Sequence, residues 1–232
     1  MTGIEKIDDG CRLVINGDET VEADAVVLAL PFPALRRANH DRAGFSELKR
    51  AAIQEFGMGA CSKLTMQFDC AVTDLENWTD FLSNDQPRFV LYESTPRNRD
   101  TSCLLTAYFG GSVAANLPAA VAHGPAPEHL VNEVLDIVAP ALPTLRAAYS
   151  GVAWLDAWAD DENAGGAYSM FKPGQYTKFW SVPSEPEGSI FFAGEHTSKT
   201  SRSYLCGAVE SGNRVSQEVV THLKAAQTSA PA

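Results

Sequence analysis

Runs of hydrophobic residues predict strands near both ends of the chain and in its middle. The run Ala25–Leu30 is short, rich in β-branched residues and stopped by Pro31, which is typical of a buried strand in a parallel sheet. Lys63–Phe68 instead alternates between apolar and polar residues, as a half-buried strand does. The same signals predict strands at Cys11–Ile15, Thr20–Glu22, Arg88–Tyr92, Cys103–Phe109 and Ser189–Ala193.

Three segments have the apolar spacing of amphipathic helices. Ser46–Phe56 begins with a residue suited to an N-cap and is followed by Gly57, which favours termination. Pro127–Val138 and Tyr204–Leu223 carry similar apolar stripes. Trp154–Trp180 has poor periodicity and is interpreted as an irregular passage. Strands interspersed with helices predict an α/β (α+β) fold.

Composition and charge exclude several classes of partner. The chain has 232 residues and a formal net charge of −11, which disfavours nucleic acid and anionic membranes as partners. It contains no apolar run of the ~20 residues that a membrane span needs, and its first residues do not resemble a signal sequence. We therefore expect a cytoplasmic protein with reduced thiols, because the five cysteines are widely spaced.

Familiar catalytic motifs are absent from the sequence. There is no GxSxG, HExxH or P-loop, and the histidine spacing fits no metal site, so we expect no metal. Gly57–Ser62 lacks the third glycine of a GxGxxG turn. The remaining candidate is a buried strand, a turn at Gly194 and a helix that begins with small residues, a geometry suited to an anion or a ring oxygen.

Four segments, taken in order, resemble the flavin-containing monoamine oxidase family, which includes polyamine oxidases, L-amino-acid oxidases and flavin-dependent histone demethylases. The most specific is Phe192–Thr197 followed by Tyr204–Gly212. The others lie along most of the chain at Glu22–Pro31, Gly57–Leu64, and Gly165–Ser169 with Pro173-Gly174. The resemblance implies an FAD-dependent oxidase that converts a small-molecule amine to an imine and then an aldehyde, with O₂ reduced to H₂O₂.

The resemblance also implies catalytic roles for three residues. Lys63 matches a lysine that holds a water beside the reactive flavin nitrogen and helps reoxidation. Tyr168 and Tyr204 match the two rings of the family's aromatic cage, whose electron-rich faces suit an amine. The alternatives are an ordinary surface lysine for Lys63 and core packing for the tyrosines.

Cofactor contacts are implied at the turn and at the start of the last helix. Gly194 and Glu195 match the turn beside the flavin's pyrophosphate and ribityl region, and Tyr204, Leu205 and Cys206 match the helix start near its ring. Monoamine oxidases of animals carry a covalently bonded cysteine where this chain has Ala167. The FAD is therefore expected to be noncovalent.

The resemblance covers the carboxy-terminal half of the family only. It implies that residues 1–37 and 152–225 belong to the FAD-binding domain, that residues 38–151 form a substrate domain of mixed sheet with helices, and that residues 226–232 form a flexible tail. A second chain carrying the GxGxxG half is the expected partner. The alternatives are a truncated, noncatalytic fragment or binding module of the same fold, or a subunit of an L-amino-acid or polyamine oxidase.

Overall fold

The computed structural model describes residues 1–83, 88–95, 101–117, 119 and 121–229. Its strands are β1 (Gly3–Ile7), β2 (Gly10–Ile15), β3 (Glu19–Ala23), β4 (Val26–Leu28), β5 (Gly57–Gly59), β6 (Cys61–Phe68), β7 (Phe81–Leu82), β8 (Val90–Glu93), β9 (Cys103–Gly110), β10 (His123–Pro125), β11 (Tyr149–Ala157), β12 (Tyr168–Met170) and β13 (Ile190–Phe192). Its α-helices are α1 (Phe32–Leu35), α2 (Glu47–Glu55), α3 (Gly111–Ala115), α4 (Glu128–Val138), α5 (Leu145–Ala148), α6 (Gln175–Phe179) and α7 (Leu205–Ser229). Short 3₁₀ helices span Val72–Asp74, Val182–Ser184 and Glu195–Thr197. The predicted α/β fold is confirmed.

The chain forms two compact units. The discontinuous unit comprises Met1–Met58 and Asn163–Ala232, and the continuous unit comprises Gly59–Glu162. The limits of these units, at 58/59 and 162/163, differ from the boundaries predicted at 37/38 and 151/152, because residues after a predicted boundary pack within the discontinuous unit. Phe45 and Ile53 share a buried cluster with Val26, which keeps residues 38–58 in the discontinuous unit. The assignment of a flavin part and a substrate part stays a prediction.

Three small sheets make up the discontinuous unit. β1, β2 and β3 form an antiparallel sheet, β13 pairs with β4 in parallel, and β12 pairs with β5. The parallel pair confirms the buried strand predicted within Ala25–Leu30. In the turn after β2, Asn16 and Gly17 have φ of 51° and 98°. β1 escaped prediction because its sequence is largely polar and only Gly3 and Ile4 are buried.

One antiparallel sheet dominates the continuous unit. Its six strands run in the order β10-β11-β6-β9-β8-β7, and each described neighbouring pair is antiparallel. The sheet expected to be mixed is thus antiparallel in its described pairs, and the parallel pairing of β13 with β4 lies in the other unit. Helix α4 packs on the sheet core through a stripe of buried residues: Leu130, Val131, Val134, Leu135 and Val138.

Part of the passage interpreted as irregular is a strand. β11 covers Tyr149–Ala157 and pairs with β6 on one side and β10 on the other, so the interpretation of Trp154–Trp180 as irregular was wrong there. Leu155 and Ala157 point into the core while Trp154 is 48% exposed, which is ordinary alternation. The pairing register shifts between Tyr149 and Ala153, which interrupts the alternation of buried and exposed residues along β11. The sequence pattern therefore does not indicate a strand there.

The predicted helices formed with small changes at their ends. Ser46 caps α2 as predicted, with its hydroxyl accepting a hydrogen bond from the Lys49 amide at 3.2 Å. Helix α7 continues to Ser229, beyond the predicted end at Leu223, because the residues that follow are mostly strong helix formers. The tail predicted to be flexible is therefore helical over residues 226–229, and residues 230–232 lie outside the described residues. No described helix is both long and apolar enough to cross a bilayer.

Candidate active site

The turn after β13 requires glycine. Gly194 has a φ of 115°, and a Cβ at this position would lie 2.7 Å from the ring of His196. Its amide donates a hydrogen bond to the hydroxyl of Ser211 on α7 at 2.9 Å. The turn is thereby fixed between the end of the parallel strand pair and the last helix.

The carboxylate of Glu195 joins two segments of the discontinuous unit. Its Oε1 accepts a hydrogen bond from the Ser169 amide at 2.8 Å. Its Oε2 accepts from the Ser169 hydroxyl at 2.6 Å and from the Ser203 amide at 2.7 Å. The Ser203 hydroxyl in turn donates to the Ser169 carbonyl at 2.5 Å. Glu195 thus connects strand β12 with the residues that precede α7.

The two tyrosines expected to form a cage are neighbours of these serines. Tyr168 directly precedes Ser169, and Tyr204 directly follows Ser203. Tyr168 is 38% exposed and Tyr204 is 69% exposed, so neither is a core residue. The alternative of core packing therefore does not account for either tyrosine.

The start of α7 is also exposed. Leu205 is 89% exposed, and Cys206 is exposed as well. Gly207 follows, where a Cβ would lie 2.0 Å from the carbonyl oxygen of Ser201. First-turn amides of a helix have no intrahelical partner, so this close turn presents donors and a partial positive charge at the helix start.

His196, within the same turn, is a neutral structural residue. It is 3% exposed, and its ring packs edge-on against Phe32 with a centroid distance of 4.7 Å. Burial, followed by the nearby charges of Arg202, Lys49 and Arg214, lowers the pKa of His196 to about 3. It is therefore an uncharged imidazole at neutral pH.

Two basic side chains, the partly exposed Arg214 and the fully buried Lys49, bond to backbone carbonyls near the turn. Arg214 donates from Nη2 to the carbonyl of Phe192 at 2.8 Å and to the hydroxyl of Thr197 at 3.0 Å. Lys49 is fully buried and donates from Nζ to the carbonyls of Val182 at 2.5 Å and Glu185 at 2.7 Å. The backbone around the site is thus held by side chains rather than by a large sheet.

Sequence analysis missed Arg202 and the two serines. The guanidinium of Arg202 lies over the rings of Phe171 at 4.4 Å and Phe56 at 5.2 Å, and Nη2 donates to the Trp180 carbonyl at 3.0 Å. Burial lowers the pKa of Arg202. The one signal for the serines is that each adjoins a tyrosine, in Tyr168-Ser169 and in Ser203-Tyr204.

Lys63 lies in the continuous unit. It is half-buried on β6, where its strand register pairs it with Tyr108 on β9 and Asp156 on β11. Its neighbour Leu64 points into the core, so Lys63 is on the opposite face of the sheet. The structure thus gathers Tyr168, Gly194, Glu195, Tyr204, Leu205 and Cys206 in one unit, with Lys63 in the other.

The residues of the discontinuous unit fit the ring end of a flavin. Two glycines allow close approach of the backbone at the turn and at the helix start, where a Cβ would collide. Exposed Tyr204 and Leu205 supply apolar surface at the start of α7, where the Gly207 and Ala208 amides donate to the Tyr204 carbonyl. The sequence has no complete GxGxxG turn for the ADP end.

The fold and this site define an α/β protein with a glycine turn between a buried parallel strand and its last helix, and comparison with known proteins identifies its family. The family model described as flavin containing amine oxidoreductase matches residues 1–220. The chain therefore belongs to that family.

Curated relatives are amine oxidases of greater length. The chain is 25% identical to flavin-containing amine oxidase A of Sus scrofa over 228 residues, which is 96% of this chain and 42% of the relative. It is 26% identical to a flavin-containing amine oxidase of Danio rerio over 221 residues, or 94% of this chain and 41% of the relative. The chain thus spans about two fifths of the length of these relatives.

Solved structures of amine oxidases share the fold. Cyclohexylamine oxidase from Brevibacterium oxydans IH-35A matches with a TM-score of 0.80 and 22% identity, covering 96% of this chain and 48% of that chain. Wild-type putrescine oxidase bound to putrescine matches with a TM-score of 0.79 and 20% identity, covering 94% and 47%. At these identities the likeness concerns the fold alone.

Proposed function

We propose that this chain is the carboxy-terminal half of an FAD-dependent amine oxidase, which oxidises an amine to an imine and then an aldehyde while O₂ is reduced to H₂O₂. The observation that carries the proposal is the link through Glu195 between Ser169 and Ser203. It joins the segments bearing Tyr168 and Tyr204 beside the glycine turn. Membership of the amine oxidoreductase family supports the same chemistry.

FAD, when bound, would supply the hydride acceptor and the group that reacts with oxygen. The task of the chain is then to bind and orient the amine. The exposed rings of Tyr168 and Tyr204 offer electron-rich faces to an amine nitrogen, and these rigid side chains, with two torsions each, lose little entropy on binding. Backbone donors at Leu205 and Cys206, together with the partial positive charge of the start of α7, favour an anionic ring oxygen.

Lys63 would act on the oxygen half of the reaction. A lysine ammonium donates hydrogen bonds from three protons and can hold a water in place. On β6 it is carried by the central region of a packed antiparallel sheet, which makes its backbone position rigid. We propose that Lys63 orients a water for reoxidation by oxygen.

The FAD would be bound noncovalently and in part by another polypeptide segment. Ala167 has no group that can bond to a flavin. The ADP end needs a strand, a GxGxxG turn and a helix, and we propose that a second chain carrying this half is the partner. A noncatalytic module of the same fold is the competing function, and an L-amino acid or a polyamine is the alternative substrate.

Coexpression with a GxGxxG half from a related oxidase tests the proposal. The complex should carry a flavin absorbance that is released by acid denaturation and that bleaches when amine is added without oxygen. Tyr204→Leu should slow this bleaching about tenfold, or ~1–2 kcal/mol, because the ring face is lost, while Tyr176→Leu, a similarly exposed tyrosine, serves as the control. Lys63→Met should instead slow reoxidation by oxygen, with Lys224→Met as its control.

A flavin complex that no amine, polyamine or L-amino acid bleaches would support the noncatalytic module. Tyr204→Leu and Lys63→Met proteins that keep both half-reactions within twofold of the parent would contradict the roles of these two residues. Stopped-flow absorbance separates the two half-reactions.

A further inference from the structure

We propose that Glu195 is a positioning residue that sets the places of both Tyr168 and Tyr204, rather than a side-chain ligand of the cofactor. This inference rests on the proposed function, because it concerns the same pair of tyrosines. It assigns the carboxylate of the glycine turn a task that the motif alone does not indicate.

The bonding of the Glu195 carboxylate carries the argument. Both oxygens accept a hydrogen bond from a backbone amide, Oε1 from Ser169 and Oε2 from Ser203. Backbone amides are fixed donors that cannot reverse their direction, so both oxygens of residue 195 must be acceptors. Bonds to a charged carboxylate are among the stronger hydrogen bonds in proteins.

The conformation of Ser203 shows why the link is needed. Its φ is 72°, a left-handed conformation that a residue with a side chain rarely adopts and that the surroundings must enforce. The Ser203 amide is held by Glu195, and its hydroxyl is held by the Ser169 carbonyl at 2.5 Å. Tyr204 follows directly, so its direction depends on this enforced turn.

On the other side, Ser169 is bonded to Glu195 through both its amide and its hydroxyl. Ser169 is 1% exposed and lies in the middle of β12, directly after Tyr168. One carboxylate therefore fixes the backbone next to each tyrosine. Because three donors already hold its two oxygens, the Glu195 carboxylate is committed to the protein, and Glu195 would contact a flavin through its backbone.

Glu195→Gln is the sharpest test, because the amide has nearly the same shape but only one acceptor oxygen. Either the Ser169 amide or the Ser203 amide must then face an NH₂ group. In the full chain without cofactor, hydrogen exchange followed by NMR should accelerate at least about a hundredfold at one or both of these amides. The Gly194 amide, which donates to Ser211, should exchange within threefold of its parent rate.

In the coexpressed complex, Glu195→Gln should lower the limiting rate of anaerobic reduction by amine at least about tenfold. The dissociation constant for FAD should stay within threefold, a split that a general loss of folding would not produce. Glu55→Gln is the control, because the Glu55 carboxylate is bonded to the exposed side chain of Lys178, which can rotate away from an amide. It should change neither readout by more than twofold.

Ser169→Ala covers the case in which Glu195→Gln does not fold, because it removes one bond to Glu195 and leaves both amide bonds. It should slow reduction by about threefold. Unchanged exchange at Ser169 and Ser203 in Glu195→Gln would overturn the proposal. Accelerated exchange combined with reduction within twofold of the parent would also overturn it. If no amine reduces the parent complex, the proposed oxidase function fails, whereas accelerated exchange still supports Glu195 as the link between the two segments.

Discussion

The two units of the chain are stabilised in different ways. In the continuous unit, one antiparallel sheet and helix α4 enclose a single large apolar cluster. In the discontinuous unit, short strands of separate small sheets share a second apolar cluster, and side chains such as Arg214 and Glu195 bond to backbone groups beside the candidate site. In a large sheet, neighbouring strands satisfy each other's backbone hydrogen bonds, whereas short strands leave amides and carbonyls that side chains must bond.

The candidate cofactor-binding residues are distributed between the units in line with this difference. All of the predicted cofactor-binding residues lie in the discontinuous unit, where polar side chains fix irregular backbone. Irregular backbone with tight glycine turns exposes amide donors that would be hydrogen-bonded within a sheet. The continuous unit contributes Lys63 on a strand whose position is set by apolar packing.

The largest expected effect is a loss of packing in the continuous unit. Leu64 is fully buried on β6, and Leu64→Ala should lower the free energy of unfolding by about 3 kcal/mol, since it leaves a cavity. Gln67→Ala, on the opposite face of the same strand, should change it by less than about 0.5 kcal/mol. Urea denaturation measures both, and a similar loss in both proteins would contradict the importance of the apolar face.

Next in size is the loss of the buried amine in the discontinuous unit. Lys49→Met should lower the free energy of unfolding by about 2 kcal/mol, because the carbonyls of Val182 and Glu185 lose a buried donor. Lys178→Met is the control, since Lys178 forms an exposed ion pair with Glu55. An unchanged Lys49→Met protein would show that the apolar contacts of this unit suffice.

Lys49 also predicts a dependence of stability on pH. Burial, opposed by the charges of Glu187 and Glu185, lowers the pKa of Lys49 to about 7, against ~10.4 for an unfolded lysine. Between these two values the unfolded chain binds the extra proton, so the contribution of Lys49 to stability should fall as the pH drops from about 10 to about 7. In Lys49→Met, the free energy of unfolding measured by urea denaturation should not show this fall between about pH 10 and about pH 7.

The smallest effect is expected at a surface cluster of the continuous unit. His123 is bonded to Asp156 at 2.8 Å and to Asp161 at 3.2 Å, and the bond to Asp156 is the main cause that raises the pKa of His123, against some desolvation. Protonated His123 should therefore stabilise the fold below the unfolded pKa of ~6.5, by less than about 1 kcal/mol, and this stabilisation should be lost as the pH rises through the folded pKa. His123→Gln should remove this difference between pH 5 and pH 8, while His129→Gln, an exposed control, should retain it.

Much of the fold was predictable from local pattern. Alternation predicted β6 and β9, an apolar stripe predicted α4, and a capping serine predicted the start of α2. β11 was not predicted because its bulge breaks the alternation, and β1 was not predicted because it has only one buried hydrophobic residue, Ile4. β11 is defined by its pairing with the distant strand β6, which local periodicity does not report.

The candidate site, like the fold, could be predicted from the sequence only in part. The sequence by itself determined the chemical types and their order: a glycine turn, two tyrosines, and a helix that starts with small residues. Only the tertiary structure decided that Glu195 binds the neighbours of both tyrosines, that His196 is buried and neutral, and that Arg202 lies on aromatic rings. The hydrogen bond between Ser169 and Glu195 forms only because the fold brings two distant segments of the chain together. The burial of a residue likewise depends on which other segments pack against it. The spacing of residue types along the sequence indicates neither.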